Sequence, residues 1–478
     1  MKKTKDKQKS FSTIEAKSFI TVLIVLSAVI VICGALSYFI PQGRFLRDEN
    51  GNIIVGTYVE GETDGIAIWR ILTSPIRVFA SEDAVTIIMI SIFLLIMSGV
   101  FNLLDKTGGI KIFISKIMSK LHGKNEAVVM ITVLIFMLFG SFFGMFEELA
   151  TLLPIVVLFM LSMGMDTMMG LGACLMAACF GFASAITNPF SVGLASQIAN
   201  IPTSSGVWLR IVFFIITYLM LCGFLLLHAR KIKKNPQASP SYNVDLEKNE
   251  NLKLDLQGED ANSGKKARVY GVFFMVQGVV LLSIAFIRAI SDYAIPILAA
   301  SFLICGIICG CIVSEDKKSV FKHLGKGAVA MLPAVVLIGF ASSVKLVMTE
   351  SGIIDTIMNY AIEILSGKNP FIAVILIYAL ILILQVFIGS ASAKIFLVMP
   401  IVMPITTALG LSPSLVILAY CMADGFTDVI LPTNPILLIG LSMVNVPYAK
   451  WVKWTWKLQI MLLIASLGVL FFAVAISY

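Results

Sequence analysis

The chain has 478 residues, of which 58% are hydrophobic and only 13% are charged, and its mean hydropathy is +0.96. Because a soluble domain carries about 25% charged residues, this composition excludes an ordinary soluble protein and predicts an all-α polytopic protein of the cell membrane. The net charge of +8 does not indicate a nucleic-acid partner, since the basic residues flank apolar segments, where they set the orientation of the chain.

The cysteines and histidines give no sign of a metal centre. All eight cysteines lie in apolar segments without a CxxC pair, and the three histidines lie at loops or helix ends. The chain also lacks the GxxxxGK[ST] pattern of nucleotide-binding loops. We therefore expect no cofactor and no metal beyond a coupling ion, Na⁺ or H⁺.

The first part of the chain predicts two membrane helices and an interfacial one. The apolar run 18–40 is too long for a signal-peptide core and predicts a retained helix with the N-terminus in the cytoplasm. A polar loop at 41–83 is expected outside, and 84–104 returns inward. The basic segment 105–126 has apolar residues at helical spacing and predicts a cytoplasmic interfacial helix.

Residues 127–163 predict a re-entrant hairpin that enters from the cytoplasm, with its tip near Gly144–Glu148. Each apolar arm has about 16 residues, which rise only ~24 Å as a helix against a hydrocarbon core of ~30 Å. The chain then crosses outward over 167–200, with a break at Thr187-Asn188-Pro189, and returns over 207–229.

A polar segment separates the two halves. Residues 230–268 are rich in charged residues and predict a flexible cytoplasmic linker without chemistry of its own. An extra transmembrane helix is expected at 269–289. Helices at 294–313 and 328–349 then flank a basic cytoplasmic loop.

The second half contains a second hairpin and a second break. Residues 370–409 predict a re-entrant hairpin that enters from outside, with its tip at 389–394. The next helix starts at Ser412-Pro413, an N-cap followed by an N1 proline, and breaks at Thr433-Asn434-Pro435. The last helix leaves the C-terminus outside.

The two halves are related by a fixed offset in sequence. Thr187 and Thr433 lie 246 residues apart. The same offset relates Pro154 to Pro400, Gly164 to Gly410 and Trp208 to Trp454. Such a series predicts a duplicated unit.

The charges predict that the two copies are inverted. The basic segment 105–126 has an acidic counterpart at 350–369, which the positive-inside rule assigns to the opposite side of the membrane. We therefore expect a first repeat at 1–229 and a second, inverted repeat at 290–478, each with a re-entrant hairpin and a broken transmembrane helix.

The breaks and the charges inside membrane segments define the candidate site. Proline removes a backbone donor inside a helix, and the adjacent Thr and Asn place polar groups where the chain has unwound. Charged residues within membrane segments are functional candidates by default. The residues selected in this way for substrate or ion binding are Gly144, Glu147, Glu148, Thr187, Asn188, Ser390, Ser392, Lys394, Asp424, Asp428, Thr433 and Asn434.

Structural roles are the alternatives for some of these residues. Glu147 or Glu148 would then cap the returning hairpin arm. Lys394 would pair with Asp424 or Asp428 and make no contact with substrate. The simplest functional geometry instead brings both hairpin tips and both breaks together in the middle of the membrane.

Five motifs resemble the YfcC-type, C4-dicarboxylate anaerobic carrier-like family of the ion transporter superfamily. They are Phe143–Glu148, Thr187–Gly193, Gly389–Ser392, Asp424–Asp428 and Val446–Trp451. The resemblance adds Ser191 to the site and implies a homodimeric secondary transporter with an elevator-like movement. It also implies dicarboxylates or basic amino acids as substrates. The chain departs from the family pattern at Lys394, where an uncharged polar residue is expected, and at Asn434, where serine is more usual.

The favoured function is secondary active transport of a small charged metabolite, by symport or antiport. Four acids against one or two lysines near the site favour a basic amino acid such as arginine or ornithine, or a coupling cation. A C4-dicarboxylate is the alternative substrate, and a channel is a weaker alternative function. An enzyme is not expected, because no candidate nucleophile has a histidine near it in sequence.

Overall fold

The computed structural model describes residues 16–46, 54, 56–61, 64–82, 84–108, 125–150, 152–256, 263–286, 293–314, 316–365 and 367–478. Most of the predicted interfacial helix, residues 109–124, lies outside these ranges. Two short antiparallel strands, β1 (Gly43–Arg44) and β2 (Val59–Glu60), pair with Gly43 opposite Glu60.

The rest of the described chain is helical. In the first half the helices are α1 (Ala16–Leu36), α2 (Ile68–Arg77), α3 (Ala84–Lys106), α4 (Asn125–Leu138), α5 (Glu147–Ala150), α6 (Leu153–Ser162), α7 (Thr167–Leu171), α8 (Ala177–Ala183), α9 (Leu194–Ile198) and α10 (Val207–Lys234). They continue with α11 (Tyr242–Leu256), α12 (Ser263–Phe286), α13 (Ala294–Val313), α14 (Lys317–Ala330), α15 (Leu332–Glu350), α16 (Ile353–Leu365), α17 (Pro370–Phe387), α18 (Ala391–Ala408), α19 (Pro413–Gly425), α20 (Pro435–Met443) and α21 (Tyr448–Ala475). Turns of π-helix at Phe139–Phe143, Gly172–Met176 and Pro189–Gly193 and of 3₁₀-helix at Val78–Ala80, Pro236–Ala238 and Phe426–Val429 join or extend them.

Seven helices among the described residues are long and apolar enough to cross a membrane. They are Ile87–Lys106, Asn125–Phe143, Val207–Lys234, Ile295–Val313, Lys317–Glu350, Pro370–Phe387 and Tyr448–Ala475. Together with the near absence of strands in the described ranges, they confirm the prediction of an all-α polytopic membrane protein.

Two segments predicted as loops contain regular structure. The outside loop at 41–83 holds β1, β2 and α2. The basic loop after α13 is helix α14, which starts because Asp316 accepts a hydrogen bond from the Lys318 N–H at 2.9 Å. This helix packs along α3 and buries Val320. The basic composition of this segment predicted a loop, whereas packing against α3 stabilises a helix.

The segment predicted as a flexible linker contains a turn of 3₁₀-helix at Pro236–Ala238 and helix α11, and residues between 239 and 248 contact the membrane helices. Asp245 on α11 accepts hydrogen bonds from the hydroxyls of Ser241 and Thr167 at 2.6 and 2.5 Å. Lys248 donates to Thr167 Oγ1 at 3.0 Å and to the Val444 carbonyl at 2.8 Å. Since Thr167 and Val444 lie in different predicted repeats, this segment links the two halves of the chain.

The membrane helices form two packed groups. The first group contains α1–α3 and α12–α15, and the second contains α4, α6–α10, α17–α19 and α21. Helix α20 joins the second group at Gly440, where a Cβ atom would lie 3.2 Å from Leu153 of α6. The groups meet where α15 and α1 contact α20, and α16 bridges α15 and α18. A small buried cluster of Leu26, Leu337, Ala341 and Leu438 lies at this interface.

The sequence repeat recurs in local structure. Gly164 and Gly410 both end a helix with positive φ, +76° and +74°. The residue after each glycine donates its N–H to a carbonyl five residues back, at 3.0 and 2.9 Å. Asp166 and Ser412 then cap α7 and α19, each by accepting a backbone N–H three residues on. The two predicted repeats thus share the same local structure at these helix ends.

The long helices after the breaks support the predicted inversion. Trp208, near the start of α10, packs edge-on against Tyr478, beyond the end of α21, with ring centroids 5.7 Å apart. Trp454, near the start of α21, packs in the same way against His228, near the end of α10, at 5.1 Å. Trp208 and Trp454 are a matched pair in the predicted repeat, and their two contacts show that α10 and α21 are antiparallel. The orientation of the copies in the membrane stays a prediction.

The docked segment predicts a pH dependence of stability. Burial lowers the pKa of Lys248 to about 8, whereas an unfolded lysine titrates near ~10.4. The folded chain therefore loses this proton first, and the free energy of unfolding gains a contribution as the pH rises from about 8 to about 10.4. We compare the midpoint of thermal unfolding of the wild type with that of Lys248→Met. The wild-type midpoint should rise relative to that of the variant as the pH increases across this range. A difference that does not change with pH would contradict the burial of this ammonium group.

Candidate functional site

The first break lies between α8, which ends at Ala183, and the helical turn that begins at Pro189. The N–H groups of residues 186–188 all donate to the Ser141 carbonyl, at 3.0, 3.3 and 3.1 Å. The Ser141 hydroxyl also accepts from the N–H of residue 186 at 3.1 Å and donates to the Ser184 carbonyl at 2.7 Å. Because unwound backbone at membrane depth needs protein partners, Ser141 stabilises this break. It is not among the residues that the sequence selects.

The turn at Gly144, which is the predicted tip of the first hairpin, lies against this break. Gly144 has φ +68°, and a Cβ atom there would lie 2.3 Å from Asn188 Oδ1, so the position requires glycine. Thr187 is exposed, and its hydroxyl donates to the Phe142 carbonyl at 3.2 Å. Asn188 is fully buried, and its Nδ2 has no hydrogen-bond partner within the described part of the chain.

The second break follows α19 and is organised by Asp428. Asp428 Oδ1 accepts hydrogen bonds from Gln385 Nε2 at 2.7 Å and from Asn434 Nδ2 at 3.0 Å. Asn434 Oδ1 accepts the Ile436 N–H at 2.9 Å and so caps α20. A carboxylate only accepts, so it fixes which way both amides face. Gln385 is a further residue that the sequence does not select.

The two break asparagines make the same local contact. Asn188 Oδ1 accepts the Phe190 N–H at 2.9 Å, and Asn434 Oδ1 accepts the Ile436 N–H at 2.9 Å. Each asparagine thus binds the N–H two residues on, which directs its Nδ2 away from the following helix. The repeat therefore places one amide donor at each break.

The second hairpin tip lies against the second break and against α19. A Cβ atom on Gly389 would lie 3.9 Å from the carbonyl oxygen of Thr433, and the Tyr420 hydroxyl donates to the Ala391 carbonyl at 2.6 Å. Ser390 at this tip is exposed, and Thr433 is buried. This predicted tip therefore lies beside the unwound chain that follows α19.

A buried ion pair joins the second hairpin to α19. The Lys394 ammonium contacts Asp424 Oδ1, and both side chains are at most 1% exposed. Apart from this contact, neither group has a hydrogen-bond partner among the described residues. Removing two charges from water costs several kcal/mol per ion, which their mutual attraction offsets only when both are kept. Of the alternatives open for Lys394, the structure places it with Asp424.

Glycines let the two broken helices touch. A Cβ atom on Gly425 would lie 2.2 Å from the backbone nitrogen of Ala183, which joins the end of α19 to the end of α8. Gly181 and Gly140 bring α8 against α4, because a Cβ on either would lie 2.1 or 2.2 Å from a carbonyl of the other helix. Both breaks thus start from one point of contact.

The structure also places the remaining candidates. Ser191 is buried in the turn after the first break. Glu147 and Glu148 begin α5, and Ser392 lies in the first turn of α18; their side chains lie outside the described residues. Within the described ranges, no group of three His, Cys, Asp or Glu residues could hold a metal ion.

The long apolar helices are those of a multi-pass membrane protein. The chain matches the family model "C4-dicarboxylate anaerobic carrier" over residues 18–475, and it belongs to this family. The expected membership of a YfcC-type carrier family is therefore confirmed, and this family consists of transporters.

Two relatives align with most of the chain. An uncharacterized protein of Haemophilus influenzae is 25% identical over 405 residues, which cover 84% of this chain and 77% of that protein. The "putative basic amino acid antiporter YfcC" of Escherichia coli is 26% identical over 381 residues, covering 77% and 74%. The solved YdaH transporter of Alcanivorax borkumensis shares 16% identity over 96% of this chain and 98% of its own. Its TM-score of 0.43 is too low to support a conclusion.

The contact at Gly425 predicts a large cost for a small substitution. The Ala183 backbone atoms that a Cβ would meet cannot move aside as a side chain can, so Gly425→Ala should lower the midpoint of thermal unfolding. Gly468 in α21 is the matched control, because nothing lies within 4 Å of its Cβ position. There, alanine should stabilise the helix by up to ~1 kcal/mol. Equal midpoints for the two variants would show that the broken helices do not touch.

Proposed function

We propose that the chain is a secondary active transporter of a basic amino acid of the arginine or ornithine type, working by ion-coupled symport or by exchange. The supporting observation is the setting of Asp428. Its Oδ1 is held by two neutral amides, Gln385 and Asn434. The nearby lysine, Lys394, is already paired with Asp424.

The charge balance at the second break favours a cation. After the pair of Lys394 with Asp424, the carboxylate of Asp428 remains without a basic partner among the described residues. α17 and α19 also end here, and the C-terminal end of a helix carries partial negative charge. An ammonium or guanidinium group, or a coupling Na⁺ or H⁺, would balance this excess.

The first break supplies a hydrogen-bond donor for the carboxylate of an amino acid. Asn188 Nδ2 is a buried donor without a protein partner in the described chain. A substrate carboxylate at this position would satisfy it. The name of the Escherichia coli relative, a putative basic amino acid antiporter, supports the same class of substrate.

A C4-dicarboxylate is the alternative substrate, because it is named in the description of the family. The pair of Lys394 with Asp424 weighs against it, since the lysine would have to leave a buried acid in order to bind an anion. A channel is the weaker alternative, and it would show no exchange of substrates.

The two groups of helices support an elevator-like movement. The candidate residues lie in the second group and the hairpin elements attached to it, and the first group contributes none of them. We propose that the second group moves against the first, which would form the contacts of a homodimer. Movement between rigid groups is one of the known modes of alternating access.

Cross-linking at the interface of the groups tests this movement. In a variant without native cysteines, a Leu337→Cys and Leu438→Cys pair joins the first group to the second. A disulfide there should stop transport, and reduction should restore it. The control pair, Leu26→Cys and Leu337→Cys, lies in the same cluster but within the first group, so its disulfide should leave transport intact. Normal transport with the first pair cross-linked would exclude the proposed movement.

Uptake into proteoliposomes tests the substrate. Labelled arginine should enter and should be stimulated by unlabelled arginine or ornithine inside, whereas labelled succinate should not enter. Asp428→Asn should lower arginine uptake at least tenfold, because a hydrogen bond to a charged group contributes ~1.5–3 kcal/mol and ~1.4 kcal/mol is a factor of ten.

Glu363→Gln is the matched control, since it changes an exposed carboxylate to an amide on α16, where Glu363 accepts a hydrogen bond from Asn359 at 3.1 Å. Uptake of succinate would favour the dicarboxylate alternative. Uptake without trans-stimulation would favour a channel. If neither compound enters, the proposed substrate class is wrong.

A further inference from the structure

Helices α17 and α21 pack antiparallel beside the second break. The rings of Phe371 and Phe471 lie 6.1 Å apart. Tyr378 lies seven residues after Phe371, and Ser466 lies five residues before Phe471. Their hydroxyl oxygens are 2.6 Å apart. These two contacts define the register of the helix pair.

The same register places Gln385 opposite Gln459. Gln385 lies seven residues after Tyr378, and Gln459 lies seven residues before Ser466. Seven residues are about two helical turns, so each glutamine lies on the same face of its helix as the hydroxyl residue. Gln385 is 1% exposed and Gln459 is 6% exposed. Two amide side chains are thus buried at one level of the helix pair, and Gln385 contacts Asp428.

These amides have hydrogen-bonding atoms without protein partners. Gln385 donates its Nε2 to Asp428, so the unpartnered atom is Oε1. Neither polar atom of the Gln459 side chain has a partner among the described residues. A buried polar group left unsatisfied costs ~1–3 kcal/mol, and native proteins contain few of them. A ligand that interacts with oxygen atoms would remove this cost at the two Oε1 atoms.

The surroundings favour a positive ligand. Asp424 and Asp428 are two acids against one lysine, Lys394, and the C-terminal ends of α17 and α19 add partial negative charge. Hard metal cations prefer neutral and charged oxygen ligands. A site built from amide oxygens and one carboxylate would not require the cluster of acids or histidines that a divalent metal needs.

We propose that Gln385, Gln459 and Asp428 form a binding site for an alkali-metal cation. The two glutamine Oε1 atoms are its neutral ligands, and the Asp428 carboxylate supplies the charge. The proposal rests on the transport function above: this cation is the coupling ion, and it occupies the charge of Asp428 when the basic amino acid does not. Because Asp428 also holds Asn434 and thereby the start of α20, the cation stabilises the second break.

The test measures cation binding without any substrate. The midpoint of thermal unfolding of the purified full chain is followed in NaCl, KCl and choline chloride at equal ionic strength. Na⁺ or K⁺ should raise the midpoint in a saturable manner relative to choline, and the more effective salt identifies the ion. Gln459→Leu should raise the half-saturating concentration at least about tenfold, since groups that support a metal typically change its affinity ~10–100-fold.

Gln459→Glu, which keeps an oxygen and adds negative charge, should lower the half-saturating concentration. It also keeps the proposal testable if the leucine variant does not fold. The matched control is Gln277→Leu, a buried glutamine on α12 that bonds with Ser301 and should not change the cation dependence.

Equal midpoints in the three salts would overturn the proposal, as would unchanged cation dependence in the two Gln459 variants. Arginine transport without a cation effect would overturn this site but leave the proposed function standing. A cation effect without transport of arginine would support this cation site and contradict the proposed substrate.

Discussion

Backbone that unwinds inside a membrane must find its hydrogen-bond partners within the protein, and this constraint organises the whole molecule. At the first break, Ser141 supplies both a carbonyl and a hydroxyl to the chain that has left α8. At the second, Asp428 holds Asn434, and the Trp451 indole donates to the carbonyl of Val429 at 2.5 Å. The polar groups that make a substrate site possible are thus the ones that make each break stable.

The same constraint explains the close packing around the breaks. Backbone partners can be shared only if helices approach closely, and Gly140, Gly181 and Gly425 permit this approach. Once the helices touch, the charges between them are shielded from water. The buried pair of Lys394 and Asp424 then fixes α18 against α19, and Asp428 is left to neutral partners. The close approach of the helices therefore accounts both for the packing around the breaks and for the pairing of the buried charges.

Much of the fold could be predicted from the sequence because its signals are local. Proline within an apolar run marks a break, and the 246-residue offset of matched residues marks the repeat. Both breaks are present, and the helix ends at Gly164 and Gly410 share the predicted relation.

Contacts that depend on distant segments could not be predicted in this way. In sequence, Ser141 cannot be distinguished from other serines in apolar helices. Its role depends on residue 186, which lies 45 residues later and donates its N–H to the Ser141 hydroxyl. Gln385 is an ordinary polar residue until α19 places Asp428 beside it. The polar composition of 230–268 indicates a flexible linker, and only the partners of Asp245 and Lys248 show that the segment is docked.

The central claim is that the two breaks, joined where Gly425 meets Ala183, form one pocket for a cationic substrate. The most direct measurement is an electron cryo-microscopy map of the purified chain with arginine. The account predicts both helices interrupted at Asn188 and Asn434, with ligand density between them and within hydrogen-bond reach of Asp428. Continuous helices through either asparagine, or ligand density away from both breaks, would contradict it.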